Sequence, residues 1–216
     1  MKEGKNSVLI VEDQQMPRLL FASYIESSDR FFLQASLADA SMADVLCARF
    51  PIDLILMDVV TENGESGLSA AEKIKRKYPK IKIIIVTSMP ECSYLERAKK
   101  AGLEGFWYKE SDGPSILSVM ERVMDGERVF PKETLPTKVG LASSREFTKK
   151  ELQILRYMLG GYSNGEIAAK MGVSPGIIKN HVADMLLKTG FRSRTQLAVR
   201  ARESGLVILE RGKKEI

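Results

Sequence analysis

A doubly wound α/β domain joined to a small all-helical domain is the fold class that this sequence predicts, and three observations predict it. Short apolar runs alternate with amphipathic segments through residues 1–126. The pattern turns purely helical over residues 147–216. Between the two, residues 127–146 carry Pro131, Pro136, Gly140 and a Ser143-Ser144 pair with no sustained period, which reads as a linker.

Five runs read as strands: Ser7–Val11, Phe32–Ala35, Asp53–Met57, Lys82–Val86 and Gly105–Tyr108. Three of them are apolar without alternation, as befits strands buried on both faces of a parallel sheet. Amphipathic segments near Pro17–Ser27, Asp39–Arg49, Leu68–Lys77, Ser93–Ala101 and Ser115–Met124 follow them in turn. Repeats of strand then helix build a five-stranded parallel sheet with right-handed crossovers. In the last third, capping boxes mark the helix starts. A hydroxyl cap and an acid or amide three residues on satisfy each other's orphan backbone groups. Thr148 with Glu151, Ser163 with Glu166 and Ser193 with Gln196 fit that pattern. Ser174-Pro175 is a cap followed by proline at the first helical position. Apolar faces then run through Leu152, Leu155 and Leu159, through Ile167, Ala168 and Met171, through Ile178, Val182, Met185 and Leu186, and through Leu197 and Ala201. Four helices, with a tight Gly172-Val173 connection ahead of Ser174, predict a helix-turn-helix.

The 216 residues hold 33 Lys and Arg, 28 Asp and Glu, one His and two Cys. At ~100–200 residues per domain, this length suits one large domain or two small ones. Cys47 and Cys92 make no disulfide framework and fit a reducing compartment. With a single His and no CxxC, a structural zinc site is not expected. The apolar run Val8–Val11 is too short for a signal peptide, and no run approaches the ~18 apolar residues of a membrane span. A cytoplasmic protein with no membrane partner is therefore expected. Residues 1–130 hold 17 Lys and Arg against 20 Asp and Glu, whereas residues 131–216 hold 16 against 8. A basic last third on a slightly acidic front fits nucleic-acid binding by that third.

Open parallel sheets bind ligands at the carboxyl ends of their strands. Glu12 and Asp13 follow the first strand, Asp58 ends the third, Thr87 and Ser88 end the fourth, and Lys109 ends the fifth. Three carboxylates, a hydroxyl and an ammonium should therefore converge on one rim. Like charges at short range raise one another's pKa unless a cation joins them. Oxygen donors at this density suit Mg²⁺, which also accepts phosphate oxygens. Asp58 is then a candidate nucleophile for an acyl phosphate. Lys109 can pair with the incoming phosphoryl group or with a resting carboxylate.

The stretches VLIVED (8–13), DLILMD (53–58), IIVTS (84–88) and FWYK (106–109) resemble the receiver domain of bacterial two-component response regulators. SNGEIA (163–168), Ser174-Pro175 and KNHV (179–182) resemble the LuxR-type helix-turn-helix, and the pair together looks like the NarL/FixJ family. The resemblance implies a flavodoxin-like receiver and a phosphorylation-controlled, DNA-binding transcription regulator. It makes Asp58 the phosphoacceptor and a sensor histidine kinase the donor. It makes Glu12, Asp13 and Asp58 the Mg²⁺-binding acids, completed by the Val60 main-chain carbonyl. Thr87 and Lys109 would hold the phosphoryl group, and Phe106 stands at the aromatic switch position. The active form would be a homodimer on double-stranded DNA. Gain and loss of its own phosphoryl group is the only chemistry implied, so the chain is not expected to be an enzyme.

The sequence departs from the family in places. Thr61-Glu62 stands where the family has a Met-Pro pair, Gly67 arrives about one residue late, and Glu110 replaces the proline after Lys109. Glu62 is expected either to crowd the pocket with negative charge or to help water hydrolyse the acyl phosphate. The same pair favours an alternative, in which an unphosphorylated receiver serves dimerisation or ligand sensing. A third reading, a phosphatase with an aspartyl-phosphate intermediate, needs a second Asp two residues after the nucleophile, where Val60 stands.

A helix entering the major groove needs a polar face opposite an apolar one. In residues 174–189, Lys179, Asn180 and Lys188 fall off the apolar face. Lys179 suits guanine edges or phosphate, and Asn180 suits adenine. Ser174, His181 and Arg194 are further candidate DNA contacts, with Lys170, Arg192, Arg200 and Arg202 as candidates for the phosphate backbone. Ala183 stands where some relatives carry Lys. Val199 and Leu206 exceed what a three-helix core needs, and the family dimerises through that last helix.

Overall fold

The central sheet forms because its strands are apolar on both sides. The computed structural model describes residues 4–61, 66–89, 92–109, 113–132, 134 and 136–207. β1 (Asn6–Val11), β2 (Phe31–Leu37), β3 (Leu54–Asp58), β4 (Lys82–Thr87) and β5 (Gly105–Tyr108) pair in the order β2-β1-β3-β4-β5. Every pairing is parallel. The helices α1 (Gln15–Glu26), α2 (Ala43–Arg49), α3 (Gly67–Lys77), α4 (Cys92–Lys100) and α5 (Ile116–Met124) alternate with the strands. On one face, Val8, Ile10, Leu54, Leu56, Ile84 and Val86 pack with Phe21 and Ile25 of α1 and with Ile116, Val119, Met120 and Val123 of α5. The alternate residues Leu9, Val11, Ile55, Met57, Ile83 and Ile85 are equally buried and point to the opposite layer. Burying one such side chain stabilises by roughly 1.5–3 kcal/mol, and the fit of particular side chains against the helices on each face holds the strands in register. That register fixes where each strand ends, and the strand ends carry the candidate site.

One local difference from the sequence reading has a plain cause. The segment beginning at Asp39 opens as a 3-10 turn, Ala40–Met42, before α2 starts. The Asp39 carboxylate accepts from the Ser41 N–H at 2.8 Å and holds the tighter turn. On β5, Trp107 donates its indole N–H to the Pro114 carbonyl at 2.8 Å and meets the Phe21 ring edge-on at 6.1 Å. Cys47 of α2 is a free, buried thiol.

Much of the expected linker, residues 127–146, is part of folded structure. Val129 bridges Gly105 in parallel, its N–H donating to the Glu104 carbonyl at 2.8 Å and its carbonyl accepting from the Phe106 N–H at 2.9 Å. It thereby extends the sheet past β5. β6 (Lys138–Val139) and β7 (Ala142–Ser143) form an antiparallel hairpin. Its Val139 and Ala142 are buried in the helical core. Pieces this short have no period to read, while Pro131, Pro136 and Gly140 dominate the composition.

The chain forms two compact units, divided chiefly between residues 133 and 134. The second contains the hairpin and α6 (Lys149–Leu159), α7 (Asn164–Met171), α8 (Pro175–Thr189) and α9 (Arg194–Glu203). The boxes at Thr148 and Ser163 are closed in both directions. The third is half made: the Ser193 hydroxyl accepts from the Gln196 N–H, but Gln196 Oε1 accepts from Arg192 instead. Ser174 makes no side-chain cap bond, and Pro175 opens α8. Gly172 sits at φ +66°, a left-handed cap that turns the chain sharply from α7 into α8. Leu152, Leu155, Ile167, Ile178, Val182, Met185, Leu197 and Ala201 fill the core. Leu206, read from the sequence as surplus to that core, is buried in it. Among the described residues no helix is long and apolar enough to cross a membrane.

Candidate functional site

The strand ends bring the predicted rim together. Asp58 is the last residue of β3 and Thr87 of β4, while Glu12 and Lys109 directly follow β1 and β5. Lys109 Nζ lies 2.6 Å from Glu12 Oε2 and 2.9 Å from Asp58 Oδ2. Glu12 is 0% exposed and Asp58 5%. One oxygen from each of Glu12, Asp13 and Asp58 lies within 4.8 Å of the other two. Backbone donors hold the remaining oxygens: Val59 N–H donates to Asp58 Oδ1 at 2.7 Å, and Gln14 N–H to Glu12 Oε1 at 3.2 Å.

Burial pushes the Asp58 carboxyl up, Lys109 pulls it back, and the charge of Glu12 adds to the rise, so that it stands at about 7. Burial works to lower Lys109, but Asp58 and Glu12 outweigh it and hold the ammonium above its ordinary value. Among the described residues, one ammonium, that of Lys109, is bonded to these carboxylates, at Glu12 and Asp58. A set of oxygen donors with unbalanced negative charge fits a hard divalent cation, and Glu12, Asp13 and Asp58 are the residues that could hold it.

Val59 and Val60 meet Ser66 and Gly67 close to the backbone of Asp58. Gly67 N–H donates to the Val59 carbonyl at 2.9 Å, and Val60 bridges Ser66. A Cβ on Gly67 would fall 1.8 Å from the Asp58 carbonyl oxygen, so only glycine fits this close approach. Thr61 is buried, and its hydroxyl accepts from the Ala40 N–H at 3.3 Å. Glu62 and Glu110, singled out in the sequence, lie outside the described residues. Thr87 is fully buried, and its carbonyl accepts from the Lys109 N–H at 3.0 Å, tying β4 to the lysine's backbone. Phe106 is buried edge-on against Tyr108, ring centroids 5.1 Å apart. The sequence reading missed Arg18. Its guanidinium donates to the carbonyls of Glu12, at 2.7 Å, and Asp13, at 3.4 Å, and so fixes the backbone of both acids. The only signal for it is a lone cation in the first turns of α1.

The second candidate region is α8. Ser174, Lys179 and Asn180 are exposed, and His181 is half-buried. Two other candidate DNA contacts have internal partners. Lys188 Nζ donates to the Glu146 carbonyl at 2.6 Å and to both Glu151 oxygens at 3.0 and 3.1 Å, and sits 5.1 Å from the Phe147 ring centre. Arg194 donates to Asn164 Oδ1 at 2.9 Å and to the Tyr162 carbonyl at 2.8 Å. Each lies where one helix end meets the start of another, and loop carbonyls and capping side chains there need donors. Burial works to raise Glu151, but the Thr148 N–H and Lys188 outweigh it and hold it below its ordinary value. Lys170 lies over the Tyr162 ring at 4.8 Å, and Arg200 pairs with Glu203 at 2.8 Å. Val199, 47% exposed, borders a groove of about 760 Å³ with Leu159, Tyr162, Ala198 and Arg202.

Comparison with known proteins agrees with this geometry. Residues 8–121 match the family described as response regulator receiver domain. Residues 145–201 match bacterial regulatory proteins of the luxR family. The response regulator protein VraR of Staphylococcus aureus (strain Mu3) is 30% identical over 205 residues, covering 93% of this chain and 98% of VraR. VraR of Staphylococcus epidermidis is 29% identical over the same length and the same shares of each chain. Among solved structures, RcsB in dimers bound to two parallel DNAs has the same fold with a TM-score of 0.62 and 17% identity, covering 92% of this chain and 98% of RcsB. A LuxR-family response regulator from Aurantimonas sp. SI85-9A1 gives 0.54 and 24% identity over 58% of this chain and 89% of its own.

Proposed function

Because the chain belongs to the response regulators that join a receiver domain to a LuxR-type DNA-binding domain, we propose that Asp58 accepts a phosphoryl group from a sensor histidine kinase and that this charge controls promoter binding. The observation that carries the proposal is the convergence of Glu12, Asp13, Asp58 and Lys109 on one rim. An oxygen of Asp58 attacks phosphorus, and the bond from phosphorus to the donor histidine nitrogen breaks. Val59 N–H and Lys109 hold the two Asp58 oxygens and orient the carboxylate. Glu12, Asp13, Asp58 and the Val60 carbonyl would hold Mg²⁺, which when bound neutralises phosphoryl oxygens. Lys109 then passes from Asp58 to the phosphoryl group, and Thr87 supplies a hydroxyl to another of its oxygens. Movement of Thr87 opens space for Phe106, and the face made by β4 and β5 changes. Two DNA-binding units paired in a homodimer gain affinity through raised effective concentration. In this reading the receiver ends near residue 133, the DNA-binding unit begins near residue 134, and the setting is the cytoplasm.

The test is mass spectrometry after incubation with Mg²⁺ and acetyl phosphate. A nucleophilic carboxylate that accepts one phosphoryl group gains ~80 Da. Asp58→Asn is expected to abolish the gain, and equal labelling of the variant would overturn the assignment.

A further inference from the structure

α8 presents an unusual charge pattern to the surface on which DNA would lie. At 3.6 residues per turn, its buried residues Ile178, Val182, Met185 and Thr189 define one face. Gly176, Asn180, Ala183, Asp184 and Leu187 occupy the opposite one, and all five are exposed. Leu187 is 81% exposed. Lys179 flanks this stripe and is the one exposed cation of the helix, because Lys188 turns inward to Glu151. The outward surface of α8 therefore carries one positive and one negative side chain, with no surplus for phosphate.

Asp184 is the odd residue in that surface. It makes no hydrogen bond or ion pair among the described residues and is not otherwise engaged. Lys188, four residues on, stands at the helical spacing that would neutralise it, yet that ammonium is committed to Glu151 and the Glu146 carbonyl. A free carboxylate facing a polyanion weakens binding to every sequence alike, unless it meets a donor there. The major groove offers donors only at the amino groups of cytosine and adenine, and guanine and thymine present acceptors that repel a carboxylate. At adenine the amino group lies beside the N7 acceptor, so cytosine is the better match.

We propose that Asp184 is a specificity-determining residue of α8, its carboxylate accepting a hydrogen bond from the amino group of a cytosine in the major groove. The proposal rests on α8 being the DNA-reading helix. Asn180 and Asp184 are one turn apart, about 6 Å along the axis. With base steps of about 3.4 Å, the cytosine lies one or two base pairs from the base that Asn180 reads. Arg202 on α9 and Arg192 ahead of it are exposed and remain available to phosphates. In this arrangement the phosphates supply affinity from neighbouring elements, and the reading helix discriminates.

The experiment is selection of binding sites from a randomised duplex library by the full-length chain, treated with acetyl phosphate and Mg²⁺, in wild-type, Asn180→Ala, Asp184→Ala and Asp184→Asn forms. Wild-type sites should show a cytosine one or two base pairs from the position that Asn180→Ala relaxes. Asp184→Ala should lose that preference and should bind random duplex several-fold tighter. Asp184→Asn should move the preference from cytosine to adenine, since an amide pairs with adenine. A purely repulsive role predicts tighter binding by both Asp184 variants with an unchanged sequence preference, and that result would overturn the proposal. If wild type selects no sites, or Asn180→Ala changes none, the reading of α8 itself falls and the proposal with it. If Asn180→Ala relaxes a position and the Asp184 variants relax none, only the assignment of Asp184 falls.

Discussion

The acidic rim and α8 handle charge in opposite ways. In the rim, Glu12, Asp58 and Lys109 are removed from water and are bonded to one another and to backbone N–H groups. On α8, Lys179, Asn180 and Asp184 stand in solvent. Buried charge is costly unless paired, so the rim is organised before any ligand arrives. Exposed charge costs little, so the groups that would meet DNA need no internal partner. Among the partnered charges of the second unit, Lys188 and Arg194 hold helix ends together. Internal partners thus gather the charges of the rim into one cluster in the first unit and tie helix ends together in the second.

The largest test of this contrast is Lys109→Met. Removing the cation leaves Glu12 and Asp58 buried together, and breaking a buried pair costs about 3–5 kcal/mol. Urea unfolding should show a loss of that order, together with loss of phosphorylation by acetyl phosphate. A loss below about 1 kcal/mol would mean that the rim is far better solvated than its burial implies.

Lys179→Ala and Asn180→Ala should behave the other way round. Each should weaken a selected DNA site by about 1–3 kcal/mol in titrations. Each should leave the urea midpoint within about 0.5 kcal/mol of the parent, as exposed substitutions do. Weakening that is equal on random DNA would remove Asn180 from base reading.

Lys188→Met separates architecture from DNA contact within one helix. Leaving Glu151 short of a partner should cost about 1–2 kcal/mol, without changing which sequences are bound. The pH dependence follows from Glu151, whose carboxyl is held below its ordinary 4.5. Its stabilisation is complete above pH 4.5 and is lost as pH falls through the depressed folded value. Lys188→Met should bring the folded value closer to 4.5, so acid unfolding of the variant should begin at a higher pH. The smallest effect is expected at Arg200, whose exposed pair with Glu203 adds little to stability. Arg200→Ala should weaken binding to all duplexes alike and flatten the dependence on log salt by about one contact, readable from titrations at several salt concentrations.

Much of this was legible in the sequence, for reasons that differ by residue. Val8–Val11 and Ile83–Val86 announce central strands because burial on both faces forbids polar residues. Asp58 and Lys109 stand out because a parallel sheet brings all its strand ends to one rim. The boxes at Thr148 and Ser163 read correctly because their bonds are local. The misses are non-local. Val129 and Val139 look like linker residues until the sheet edge and the helical core that receive them exist. Gly67 reads as a displaced loop glycine until its contact with the Asp58 carbonyl is seen. Lys188 has the spacing of a surface lysine, and only the fold brings Glu151 beside it.

One feature of β5 supplies the molecule with its own optical reporter. Trp107 is the single tryptophan of the chain. It directly follows Phe106, lies two residues before Lys109, and is hydrogen-bonded to the Pro114 carbonyl and edge-on to Phe21. Its indole is half-buried, so its emission responds both to solvent access and to that hydrogen bond. Any rearrangement of β5 that accompanies charge arriving at Asp58 must pass through its backbone. Intrinsic fluorescence of the unlabelled protein can therefore follow the conformational response in real time, with no background from a second indole.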